Sequence, residues 1–306
     1  MLASLTIRGW PRRIAPGDPF PHPFRKSYQE LHLGPDEQPC LLYSPRLRFG
    51  RHETTARLLV WAGQRLACLD ARHGGVATTV MSLDQVHEVE WGQALLEAWV
   101  RLVAHGPAGR TVIRVDFNAV GLPLYKPIAD TARSSAYAGA HLTLGDERRK
   151  LAPLLQVDHR FAGLGAQALL SGVELRRHWF QPRVPGLLRL GLAGVRIPAL
   201  LLLATQAELI LVQELAGRGQ ERFGTTWRCL PLELVREIAL IRDPARGALG
   251  LRIRLPVASE VRAEVAPGSE AALRAFLGEI DPRWGGAAAP PPMQSPPEAP
   301  GEAPPP

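Results

Sequence analysis

A mainly β, α+β chain built of two similar domains is what the sequence predicts, and three observations predict it. First, the stretch from Met81 to Glu90 returns from Leu230 to Ala239, with Leu83, Val86 and Glu88 repeated as Leu232, Val235 and Glu237. Asp84 meets Glu233 in the same echo. Second, neighbouring blocks recur in the same order: Arg57 to Asp70 lies over Leu200 to Gln213 without a gap, and Tyr43 to Leu47 answers Phe180 to Val184. Third, each half runs through short apolar, β-branched stretches divided by turn-formers and ends in one stretch of helical period.

In chain order, residues 1–23 hold Pro11, Pro16, Pro19, Pro21 and Pro23, which remove backbone donors and predict an extended arm. Phe24, Tyr28 and Leu31 then recur at helical spacing until Gly34-Pro35, as do residues from Phe161 to Leu170 in the second half. Strands are predicted at Cys40 to Phe49, Arg57 to Trp61, Leu66 to Leu69, Val76 to Met81, Val86 to Glu90, Leu95 to Val103 and Thr111 to Phe117. A helix follows, with Pro127 at its first position and Ile128, Ala132 and Ala136 four apart. The second series is Leu187 to Leu192, Leu200 to Ala204, Leu209 to Gln213, Trp227 to Leu230, Val235 to Ile241, Leu249 to Leu255 and Glu260 to Val265. Its closing helix is capped by Ser269, places Leu273, Phe276, Leu277 and Ile280 on one face and stops at Asp281-Pro282.

The expected domains are therefore 24–137 and 161–284, joined by 138–160, which reads as helical from Asp146 to Leu155. A Pro- and Ala-rich tail, 285–306, has no periodicity and is expected to be disordered. The three cysteines, Cys40, Cys68 and Cys229, are too far apart for a redox or metal pair, which suits a reducing, cytoplasmic setting. The longest apolar run, Ile197 to Val212, contains Thr205, Gln206 and Glu208 and reads as a hairpin rather than a membrane span. A net charge of +7 invites nucleic acid, yet the arginines are scattered among acids and Lys26, Lys126 and Lys150 are the only lysines. Dispersed tryptophans read as packing anchors rather than base-stacking platforms, so nucleic acid is set aside.

Two hairpins carry a resemblance. Leu200 to Ala204, the Thr205-containing turn, Leu209 to Leu211, and then Leu230 to Val235 resemble the early strands of the pleckstrin-homology superfold, and specifically bacterial PH-like and GRAM-like domains. The first half departs by having Trp61-Ala62-Gly63 where the threonine turn stands in the second. The resemblance implies two consecutive antiparallel near-barrels, each capped by a C-terminal helix, over about residues 24–281. It also implies a non-catalytic binding or scaffold module inside the cell, with a protein partner or an anionic lipid head group at the membrane surface as the alternative.

No catalytic residue, metal ligand or cofactor is assigned, and an enzyme with no sequence-local motif is the remaining alternative. His87-Glu88 lacks a second histidine at metal spacing and its echo is Arg236-Glu237, so Glu88 and Glu237 read as solvent-facing strand residues. Gly163-Leu164-Gly165 reads as structural, and Asp158-His159 and Arg51-His52-Glu53 lack a nucleophile. The one residue-level expectation is an anion site of Arg46, Arg48 and Arg51, projecting together from a strand end.

Overall fold

The computed structural model describes residues 9–34, 37–49, 52–107, 109–137, 147–185, 197–215, 224–243, 248–256 and 259–285. The expected tail beyond residue 285, the strand at 187–192, residues 138–146 of the linker and Arg51 lie outside the described residues.

Four strands of the first half, β2 (Cys40–Ser44), β5 (Arg57–Ala62), β6 (Arg65–Arg72) and β7 (Gly75–Ser82), form an antiparallel meander. At its edge is a fifth, β1 (Arg12–Ile14), which the proline count of the arm concealed. The prolines flank this strand rather than interrupt it, and an edge strand tolerates such neighbours. The single strand expected from Cys40 to Phe49 breaks at Pro45, and β3 (Arg48–Phe49) pairs instead with β4 (His52–Glu53) as a small ribbon. The arm and α1 (Arg25–Gln29) cover the outer face of the meander, where Ile14, Phe24, Leu31, Leu58 and Leu69 are buried together.

The next three strands, β8 (Val86–Ala94), β9 (Glu97–Gly106) and β10 (Gly109–Asn118), are followed by α2 (Leu122–Ser134). The strand expected from Leu95 is corrected: Leu95 and Leu96 are the exposed turn between β8 and β9, with Ala94 paired to Glu97. The helix likewise starts earlier than Pro127, because the side-chain Oδ1 of Asn118 accepts from Val120 N–H and a 3-10 turn leads into Leu122. Pro127 is tolerated inside α2 at the loss of one helical bond.

A 3-10 turn (Glu147–Leu151), α3 (Ala152–Leu155) and α4 (His159–Ala168) follow, matching the expected helical linker in its described part. Asp158 N-caps α4 by accepting from Phe161 N–H at 2.9 Å. Gly165 lets α4 lie close on the sheet, since a Cβ there would come 2.9 Å from Leu201. The second half then supplies β11 (Leu175–Gln181), β12 (Leu200–Thr205), β13 (Glu208–Glu214) and β14 (Gly224–Pro231), again a meander. After it come β15 (Glu237–Asp243), β16 (Ala248–Arg254) and β17 (Glu260–Val265), then α5 (Glu270–Ile280) and α6 (Pro282–Gly285). Ser269 holds the N-cap position of α5 without a side-chain bond, and Glu270 pairs with Arg274 one turn on.

The expected pair of near-barrels is corrected at one join. No barrel closes. Strand β14 pairs antiparallel with β8, so the three strands of the first half and the four of the second make one sheet ordered β10-β9-β8-β14-β13-β12-β11. Two edges that separate domains would leave open are thereby closed. This sheet is apolar on both faces at β12: Leu201 and Leu203 join the core of the first half, while Leu200 and Leu202 join that of β15–β17 and α5. Burial on both faces is why this stretch reads as continuous leucine rather than an alternation.

Candidate functional site

One row of residues across the seven-stranded sheet changes character at the join. In register it reads Arg114 on β10, Arg101 on β9, Glu90 on β8, Arg228 on β14, Leu211 on β13, Leu202 on β12 and Trp179 on β11. The three apolar members are buried in the core shared with β15–β17. The four charged members, with Glu88 two residues before Glu90 on the same face, form the floor of a cleft of about 770 Å³. Ser259, Glu260 and Arg262 line its other side, and Arg110 lies on β10 nearby. Five arginines and three glutamates thus share one recess.

The floor is held by charged hydrogen bonds. Glu90 lies between its cross-strand neighbours, accepting from Arg228 Nε at 2.9 Å and from Arg101 Nη1 at 3.4 Å. Trp99 Nε1 donates to its other oxygen at 2.9 Å. That contact requires Gly92, because a Cβ there would come 2.0 Å from the Trp99 ring. Glu88 accepts from Arg101 Nη1 at 2.5 Å and, more distantly, from Ser259 Oγ at 3.4 Å. Both carboxylates are nearly sealed, at 3% exposed for Glu88 and 6% for Glu90. The reading of Glu88 as solvent-facing is therefore corrected. Its echo, Glu237, is the exposed one, bonding Arg254 at 2.8 Å and Arg252 at 3.3 Å.

Arg101 and Arg114 stand directly opposite each other, a repulsive pairing by itself. Asp116 relieves it by accepting from Arg114 Nε at 2.8 Å, and the Arg114 guanidinium lies 5.4 Å from the Trp99 ring centroid. Arg262 pairs with Glu260 on its own strand. Arg110 has no carboxylate partner among the described residues. The result is a floor whose guanidiniums are fixed by buried acids and a rim whose guanidiniums are exposed and can turn toward an incoming anion.

The described residues of the expected anion site, Arg46 and Arg48, are not among those lining this cleft. Arg46 lies between β2 and β3 and its Nε pairs with Glu53 at 2.9 Å, so an anion at Arg46 would compete with that carboxylate. Arg48 faces Glu53 in the β3–β4 register, and Arg51 lies outside the described residues. Nothing in the sequence alone joins Arg101 and Arg114 to Arg228, because the pairing of β8 with β14 brings them together. The nearest available signal was the alternation of Arg114 and Asp116 on one face of β10. Two tryptophans do come together, Trp91 and Trp227 at 5.8 Å and 10°, but at 3% and 4% exposure they pack the core across the join. Among the described residues no three His, Cys, Asp or Glu side chains gather as metal ligands, and no helix is long and apolar enough to cross a membrane. Comparison with protein-family models finds no match for the chain, and comparison with curated proteins finds none either.

Proposed function

We propose that the chain is a non-catalytic binding protein of two PH-like units, fused through a common sheet, whose arginine cleft takes an acidic segment of a protein partner. The PH-like reading is supported by the recurrence of four strands, three strands and a helix in each half. The observation that carries the binding role is the cleft itself, to which both halves contribute guanidiniums over a floor of buried, already paired carboxylates. Its charged row spans four strands, roughly 14 Å at ordinary strand spacing, which suits about four extended residues better than one small anion. Acidic side chains would find forked donors there, whereas a bilayer would have to reach into a recess.

The test is fluorescence anisotropy with a labelled Glu- and Asp-rich octapeptide. Saturable binding should weaken steeply with salt, as the screening length shortens from about 10 Å at 0.1 M to about 3 Å at 1 M. Arg110→Ala with Arg262→Ala should weaken it about tenfold or more, since both side chains are exposed and outside the floor network. Absence of binding, or attachment to acidic vesicles that ignores the substitutions, would overturn the reading.

A further inference from the structure

Five of the six strands that end the three larger sheets are guarded by charge, and one is not. The edges are β1 and β7, β10 and β11, and β15 and β17. β1 carries Arg12 and Arg13, β10 carries Arg110 and Arg114, and β11 carries Arg176 and Arg177. β15 and β17 each carry three charged side chains. Such residues keep an open edge from pairing with another chain. β7, reading Gly-Val-Ala-Thr-Thr-Val-Met-Ser, has neither a charge nor a proline along its eight residues.

One side of β7 is paired with β6 along the whole strand, and its other side pairs with no strand among the described residues. The strand is also accessible: Thr78 is exposed, and Val80 is 41% exposed. Register against β6 puts Val76, Thr78 and Val80 on one face, opposite Ala71, Leu69 and Ala67. An unpaired row of N–H and C=O groups flanked by valine and threonine is a template for one more strand.

We propose that β7 pairs antiparallel with β7 of a second copy of this chain, about a two-fold axis that sets Thr78 of one copy opposite Thr78 of the other. Val76 of each copy then faces Val80 of the other on the same face as Thr78, and Ala77 faces Thr79. The strand is thus its own complement: β-branched residues meet across the axis and no like charges are brought together. The joined sheet has five strands from each copy and ends on both sides at β1, where Arg12 and Arg13 repel a further copy. Pairing therefore closes at a dimer instead of running on as a fibre. The arginine cleft lies on the seven-stranded sheet, so the dimer does not depend on the role given to that cleft.

The test is sedimentation equilibrium of the full chain from about 1 µM to about 1 mM, a range that spans moderate and weak association. Hydrogen exchange of the β7 amides is followed at both ends of that range. A monomer–dimer equilibrium is expected, with protection of the outward β7 amides rising with the dimer fraction. Thr78→Lys with Val80→Lys sets two ammonium groups face to face at the axis and should abolish the dimer across the range. Both positions are exposed, so the circular dichroism and thermal midpoint of the monomer should be unchanged. A parent protein that stays monomeric throughout, a dimer that survives the two lysines, or a dimer whose β7 amides exchange as in the monomer would overturn the proposal.

Discussion

Arg133 in α2 and Glu208 at the start of β13 are 75 residues apart in sequence and meet fully buried, with Arg133 Nη2 2.8 Å from Glu208 Oε2. Arg133 Nε also donates to the same carboxylate at 3.1 Å, making the pair forked. The Tyr137 hydroxyl donates to Glu208 at 2.6 Å and lies 3.0 Å from Thr205 Oγ1. Thr205 in turn accepts from the backbone N–H of Glu208 at 2.9 Å. The Thr205 turn thus receives the end of α2, the closing helix of the first half. In the gapless alignment of the two halves, Thr205 and Glu208 fall on Ala62 and Arg65, neither of which offers the acceptor found here.

Breaking this pair from one side should cost about 3–5 kcal/mol, because a buried charge loses its partner. Glu208→Ala and Arg133→Ala should each lower the urea midpoint accordingly. The combined Arg133→Met, Glu208→Leu protein should recover most of the loss, since a shape-matched apolar pair avoids the desolvation. Additive losses in the double variant would show that the two residues act separately.

The shared sheet predicts that the halves unfold as one unit. Trp91 and Trp227 are stacked across the β8–β14 join, and the main core contains residues of both halves. Trp227→Ala should therefore cost about 3–5 kcal/mol and shift the transition sensed in either half equally. Denaturation followed at one probe in β6 and another in α5 would check this. Two separated transitions in the parent protein would contradict it.

The element series was legible because alternation, turn residues and the echo all pointed the same way. Leu249, Leu251 and Ile253 are buried as their alternation requires, and so are Leu273, Phe276 and Leu277 of α5. The short strand β1 was hidden because its pairing with Leu41 to Tyr43 is tertiary, while the prolines beside it are local. The cleft was hidden for a related reason: Glu90 is flanked in sequence by Val89 and Trp91, whereas its partners come from strands on either side. Local pattern sets which way Glu88 and Glu90 point; only the order of strands decides whether that face meets water or β17.

Glu214 gives a prediction in pH. Burial alone would raise its pKa, but hydrogen bonds from Arg183 and the Ala199 N–H, with the charges of Arg183 and Arg160, bring it below the ordinary carboxylate value of 4.5. A carboxylate depressed on folding stabilises the protein above its unfolded pKa and loses that contribution as pH falls through the folded one. Glu214→Gln should therefore be less stable than the parent at pH 7, with the gap closing as pH drops below about 4.5. Thermal unfolding of both proteins across that range measures it, and a gap independent of pH would point to packing instead.

The aligned carboxylates Glu88 and Glu237 test how far a similar contact differs when its surroundings do. Each bonds an arginine on the next strand, Arg101 for the first, and Arg252 and Arg254 for the second. The side chain of Glu88 is 4% exposed, whereas that of Glu237 is 43% exposed. An exposed pair is screened and typically contributes less than about 1 kcal/mol, so Glu237→Gln should be nearly neutral. Glu88→Gln replaces a charged acceptor in a recess with a neutral one and should cost about 1.5–3 kcal/mol, leaving Glu90 as the charged acceptor of Arg101. The same substitution should free Arg101 to meet an anion, so peptide affinity for the cleft should rise while stability falls. Equal stability losses at the two positions, measured by urea denaturation, would mean that the junction does not seal Glu88 as described.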